Sequence, residues 1–230
     1  MKKLLLSVLM ILMFPIAVAF ADSLVISHAL KTPPNKTANR QTLTNHLVQP
    51  FNNNYDKLKA IAYWIASHVA YDGYKYNSGK VDMREMNYEY DILKYRTGIC
   101  TDFAELFADM AKRAGIPDVE YVTGYVLYNQ STLKGFYSKK DIAAKGTGHA
   151  WNRVKMNGRV FFVDTTFMAR GHIGGDRIRA AASLKHKTDL RKRKFQNEVN
   201  TQIDDFFFDF TPKQEVKEYR MLHLMDKYVH

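Results

Sequence analysis

Only one cysteine, Cys100, stands in this chain of 230 residues. A lone thiol excludes an intramolecular disulfide and any cysteine-based metal cluster. The sequence also lacks a glycine-rich phosphate loop, a run of ligating residues at metal-site spacing, and any internal repeat. Nucleotide-dependent and metal-dependent chemistry therefore have no motif to rest on, and no cofactor is expected. Acidic residues are few, 23 against 34 basic ones, and the formal charge of +11 favours an anionic partner surface. After the first residues there is no apolar run long enough to span a bilayer. What remains is 46% apolar, 13% aromatic and 25% charged, too apolar for disorder and too short for more than one or two domains.

The amino terminus reads as a secretory signal peptide over residues 1–21. Lys2 and Lys3 form a positive start, Leu4 to Phe14 an apolar run broken only by Ser7, and Ala19-Phe20-Ala21 a small-x-small cleavage site. No cysteine follows the cut, so no lipoprotein anchor is expected. Loss of Lys2 and Lys3 leaves a mature chain, Asp22 to His230, of charge +9. The expectation is an exported protein, periplasmic or secreted, with no stable membrane insertion. A role on nucleic acid does not fit that address. Exported proteins usually pair their cysteines or have none, which makes Cys100 a residue to account for.

Residues 22–54 carry Pro33, Pro34, Pro50 and Asn52-Asn53-Asn54, and read as an irregular lead-in to one domain over 55–230. From Tyr55 to Ala70 apolar residues recur as one face of a helix (Leu58, Ile61, Ala62, Ile65, Val69). Residues 71–96 hold six tyrosines without a clean period, with one short helix expected around 85–94. A strongly marked helix follows. Thr97 or Gly98 can cap it, and Phe103, Leu106, Phe107, Met110, Ala111 and Ala114 form its stripe. Asp102 suits its positive end and Lys112-Arg113 its negative end; Gly115 and Pro117 close it. Cys100 lies in the first turn, on the apolar side.

Val119 to Tyr128 reads as a strand, and 129–147 as a long lysine- and glycine-rich connection. Asn157-Gly158 between two apolar-rich runs, 148–156 and 159–167, predicts a hairpin with a two-residue type I′ turn. Residues 170–194 hold nine basic against two acidic residues, net +7. Phe206 to Phe210 looks strand-like, and Thr211-Pro212-Lys213-Gln214 announces a last helix. The scattered histidines His28, His46, His68, His172 and His186 read as surface positions. The order predicts an α+β fold, N-terminal helices packed on an antiparallel sheet.

The turn fixes the hairpin register. If Met156 faces Arg159, then Trp151 faces Asp164, and His149 and Asp164 become diagonal neighbours on one face, their Cβ atoms about 7 Å apart. A one-residue slip would put them on opposite faces. A thiol at a helix start, where unpaired N–H groups favour thiolate, thus joins an imidazole beside a carboxylate. Those are the parts of a nucleophile, base and orienter. Asp102 and Glu105 oppose the thiolate, so the imidazole must be near. The Cys100 N–H is a natural oxyanion donor; Trp151 and the tyrosines of 71–95 are candidates for a second.

Five blocks closely resemble the core of the transglutaminase-like superfamily. They are Thr97 to Ala104, Ala114-Gly115-Ile116-Pro117, Gly124-Tyr125, Gly148-His149-Ala150-Trp151-Asn152 and Val163-Asp164-Thr165-Thr166-Phe167. Trp64 with Tyr71-Asp72 resembles the helix preceding that core in microbial members. Asp205-Phe206-Phe207-Phe208 followed by His223 resembles the tail of the kyphoscoliosis-peptidase branch. Thr165-Thr166 departs from the Pro-Thr common after the aspartate. The resemblance implies a papain-like core with Cys100 as nucleophile, His149 as base and Asp164 as orienter. It also implies acyl transfer on amide bonds of a protein or peptide, by a cysteine peptidase or amidase first. The alternatives are a protein-glutamine transamidase, or a non-catalytic binding module for an anionic envelope component. The calcium dependence of animal crosslinking relatives finds no acidic cluster here.

Overall fold

The computed structural model describes residues 22–72, 92–94, 96–127, 138–169, 199–217 and 221–223. The expected signal peptide, the tyrosine-rich stretch 73–91, residues 129–137 and the basic segment 170–194 lie outside them.

The segment 22–54 is not an irregular lead-in. Helix α1 covers 22–30, a 3-10 turn covers Pro34–Lys36, and helix α2 covers Arg40–Val48. The prolines punctuate these elements and do not dissolve them. Pro34 occupies a helix start, where its missing N–H costs nothing, and Asn39 caps α2 by accepting from the Thr42 N–H at 2.8 Å. Val25, Ala29, Leu43 and Leu47 are buried in the main core, so these helices belong to the domain placed at 55–230.

Helix α3 (Asn54–His68) starts at the Asn53 cap and is buried along almost its whole length. A two-residue parallel pair follows, β1 (Ala70–Tyr71) with β2 (Thr97–Gly98). The intervening chain returns through Arg96, whose φ of +57° is left-handed. Its guanidinium lies 4.7 Å over the Trp64 ring. His68 also packs on the Trp64 ring, stacked at 5.0 Å. His68 is thus a buried histidine rather than a surface one, and His28 and His46 are half-buried with ring centroids 4.7 Å apart.

Helix α4 (Cys100–Arg113) buries Phe103, Leu106, Phe107, Met110 and Ala111, the stripe that its spacing predicts. Gly115, at φ +79°, supplies the left-handed residue after it. Next come β3 (Val119–Val126), α5 (Lys139–Lys145), β4 (Thr147–Met156), β5 (Arg159–Val163) and the short α6 (Thr165–Met168). The chain closes with β6 (Phe208–Phe210), α7 (Pro212–Lys217) and β7 (Met221–His223). The sheet is antiparallel throughout, in the order β6-β5-β4-β3-β7.

The hairpin pairs Met156 with Arg159 and Asn152 with Val163. Asn157 and Gly158 both have positive φ, +52° and +74°, as a type I′ turn requires. The expected strand 159–167 is cut short at Val163. Alternation along β4 and β5 then separates two faces. Val154, Phe161 and Val163 join the helices in the main core, while Trp151, Phe162 and Phe210 form a second cluster with Val122 and Val126. The fold is α+β, helices on an antiparallel sheet.

Candidate active site

Cys100 is the first residue of α4. Its N-cap is Ile99, not Thr97 or Gly98, and no side chain of that residue caps the helix. Asp102 reaches back instead, and its Oδ2 accepts the Ile99 N–H at 2.8 Å. Cys100 is free and buried, and packs with Ala104 and Ala150. Asn152 ties the same helix to β4 by donating from Nδ2 to the Ala104 carbonyl at 2.9 Å. Helix start and strand are thereby locked together beside the thiol.

His149 sits near the start of β4 and Asp164 directly after β5. The register puts both on one face, and their side chains meet: His149 Nε2 lies 2.6 Å from Asp164 Oδ2, with neither side chain exposed. Asp164 has a second task that ends the strand. Its Oδ1 accepts the N–H groups of Thr166 and Phe167, each at 3.0 Å, which starts α6. Its own N–H donates to the Phe207 carbonyl at 2.9 Å. One carboxylate is thus held by two backbone donors on one oxygen and offers the other to the imidazole.

Burial opposes charge on His149. The negative Asp164, its hydrogen bond, and the hydrogen-bonding Cys100 thiol outweigh that and push the imidazole up to about 9. Asp164 takes Nε2, and Cys100 hydrogen-bonds the same imidazole. The structure therefore brings together all three residues singled out in the sequence. Two rings lie nearly parallel to the imidazole, Phe167 at 4.6 Å and Trp151 at 5.6 Å.

Two features had no local signal. The Trp151 indole N–H, a candidate oxyanion donor in the sequence, is spent on Glu215 Oε1 at 3.0 Å, deep in the protein. Trp151 is thereby removed as the second donor. The Phe207 carbonyl that fixes Asp164 comes from a segment 43 residues downstream, and nothing near Asp164 in sequence points to it.

Chemically, a thiol at a helix start with a charged imidazole and an oriented carboxylate can attack a carbonyl carbon and protonate a leaving amine. The Cys100 N–H lies in the first turn of α4, where a helix has no intrahelical acceptor to offer, and so is the backbone donor suited to an oxyanion formed at the thiol.

The model of the family described as the transglutaminase-like superfamily matches residues 41–165. Kyphoscoliosis peptidase of Mus musculus is 31% identical over 126 residues, 54% of this chain and 17% of that protein. The Homo sapiens protein of the same name is 30% identical over the same share of each. The chain thus spans about a sixth of the length of these curated relatives. Among solved structures, the "Putative Cysteine Protease from Cytophaga hutchinsonii" is 25% identical at a TM-score of 0.40, covering 55% of this chain and 36% of its own.

Proposed function

The chain belongs to the transglutaminase-like superfamily, and from that premise we propose that it is a thiol enzyme of amide acyl transfer, most simply a cysteine peptidase or amidase. Cys100 is the nucleophile, His149 the proton carrier and Asp164 the orienter. The observation that carries this reading is the buried 2.6 Å His149–Asp164 contact in which the imidazole also serves Cys100.

The steps follow from the groups. The Cys100 sulfur attacks the amide carbon, and the oxyanion is met by the Cys100 N–H. His149 gives its proton to the departing amine, leaving a thioester. Water, deprotonated by the now neutral His149, releases the acid and restores the thiol. Asp164 keeps the ring oriented and its charged form stable throughout. The name of the mammalian relatives supports hydrolysis over transfer to a second amine.

Substrate and address are part of the same proposal. The signal-peptide pattern of residues 1–21 supports export to the periplasm or medium, and the charge of +9 left after cleavage supports an acidic protein or peptide partner, or an anionic envelope surface. Mass spectrometry of the exported chain should then find Asp22 at its amino terminus.

The test uses the mature protein, wild type and Cys100→Ser, with an electrophilic peptide probe and then with peptides in the presence of a reporter amine. The expected result is labelling of wild type alone and release of free acid with the amine left out of the product. Amine incorporation would make the enzyme a transamidase. No labelling of the folded wild type would leave Cys100 a buried small hydrophobe and end the catalytic reading.

A further inference from the structure

Trp151 lies two residues beyond His149 on β4, on the same sheet face. Its side chain is fully buried, and its one polar atom donates to Glu215 at 3.0 Å. Glu215 is itself 1% exposed and comes from α7, which lies beyond residues 41–165 matched by the family model. A carboxylate taken that far out of water is costly unless its partners hold it. The local chain is built to deliver it. Thr211 and Gln214 form a reciprocal capping box, Thr211 N–H to Gln214 Oε1 at 2.9 Å and Gln214 N–H to Thr211 Oγ1 at 3.3 Å. The box fixes the first turn of α7, and with it the approach of Glu215 to the sheet.

The consequence reaches the imidazole. The indole plane is tilted 23° from that of His149 with centroids 5.6 Å apart, and Phe167 lies at 19° and 4.6 Å. An aromatic face carries negative potential and favours a cation stacked on it. An indole provides that face only while its rotation is fixed, and its N–H is the handle by which it can be fixed. We propose that Glu215 is a positioning residue of the active site, holding the Trp151 face against His149 and thereby supporting the imidazolium that protonates the leaving group. This rests on the catalytic reading of Cys100, His149 and Asp164. Among the described residues the ionisable groups that set the imidazole are Asp164, after β5, and Cys100, on α4; the two stacked rings are uncharged.

The test is an NMR titration of His149 in the full mature chain, paired with iodoacetamide alkylation of Cys100 at neutral pH. Glu215→Ala should lower the His149 midpoint by about one unit and slow alkylation about three-fold or more. Glu215→Gln, which keeps an acceptor for the indole, should restore both. Trp151→Phe keeps a ring but loses the N–H, and should also lower the midpoint. Adding Glu215→Ala to Trp151→Phe should move it no further. A merely structural clamp would change thermal stability and leave the titration in place. An unchanged midpoint in folded Glu215→Ala overturns the inference, and if that variant does not fold, an unchanged midpoint in Trp151→Phe does so. If wild-type Cys100 is inert in the folded protein, or reacts equally in His149→Ala, the proposed function itself has failed. A His149-dependent thiol that ignores Glu215 sinks this inference alone.

Discussion

At the scale of single residues, Asp164 is the side chain with most to lose, because its two oxygens do different work. Oδ1 starts α6 and Oδ2 holds His149. Asp164→Asn can keep the capping oxygen but must present an amide donor to the imidazole, forcing the ring into the wrong tautomer. The expected outcome is a folded protein whose turnover falls by about 10²–10⁴-fold, measured on any peptide the wild type cleaves. Asp164→Ala should lose the cap as well, about 0.5–2 kcal/mol of further stability, read by thermal denaturation. The same pair sets a pH dependence. His149 is raised from the ordinary 6.5 to about 9, so the folded state binds its proton more tightly than the unfolded chain. The stabilisation is complete below about 6.5 and is lost as pH climbs to about 9. Melting curves of wild type and Asp164→Asn should therefore lie farthest apart near pH 6 and converge by pH 9 to 10, and turnover should decline above about 9 as the acid for the leaving amine disappears.

At the scale of elements, the parts legible in the sequence were those whose signals are local and redundant. Helix α4 carries an apolar period, a charge gradient and Gly115, and the hairpin carries Asn157-Gly158, which fixes register to the residue. Those two elements alone place Cys100 on a helix start and put His149 beside Asp164. Helix α6 was illegible because Thr165, Thr166 and Phe167 favour strand; the Asp164 cap and burial override that preference. Helices α1 and α2 were hidden by Pro33 and Pro34, which in fact sit between them, and by Pro50, which follows α2. Glu215 pairs with Trp151 across 64 positions, a distance over which no sequence pattern carries. The approach to the nucleophile makes its own prediction. A Cβ at Gly98 would lie 2.8 Å from Asp102 Cβ and 3.1 Å from the Oδ2 that holds the Ile99 N–H. Gly98→Ala should therefore displace the start of α4, costing about 1–3 kcal/mol and slowing probe labelling of Cys100, with labelling read against a melting curve. Wild-type labelling in this variant would show that the Asp102 bond does not position the thiol.

At the scale of the whole molecule, the core matched by the family model depends on the chain that returns after it. Strand β6 is an edge strand that pairs Phe210 with Phe162 and Phe208 with Val163, and the turn before it supplies the carbonyl that fixes the Asp164 N–H. A chain ending at Asp204 would lose all of these, together with Glu215. Phe208 and Phe210 are 8% and 1% exposed, and burying a phenylalanine is worth about 1.5–3 kcal/mol. Their loss alone removes about 3–6 kcal/mol from a total that for a domain of this kind is about 5–15 kcal/mol. The Asp164 N–H and the Trp151 indole would in addition lose their acceptors, each at about 1–3 kcal/mol if it stays buried. Ending the chain at Lys217 instead drops β7, which pairs with the Gly124–Val126 end of β3, and spares the His149–Asp164, Asp164–Phe207 and Trp151–Glu215 bonds. The expected result is a chain ending at Asp204 that melts far below wild type and is not labelled at Cys100, and a chain ending at Lys217 that folds and is labelled. Circular dichroism and the electrophilic probe read the two properties separately. Should the chain ending at Asp204 fold and label at the wild-type rate, residues 41–165 and their N-terminal helices carry the site unaided, and the returning segment is only a cover.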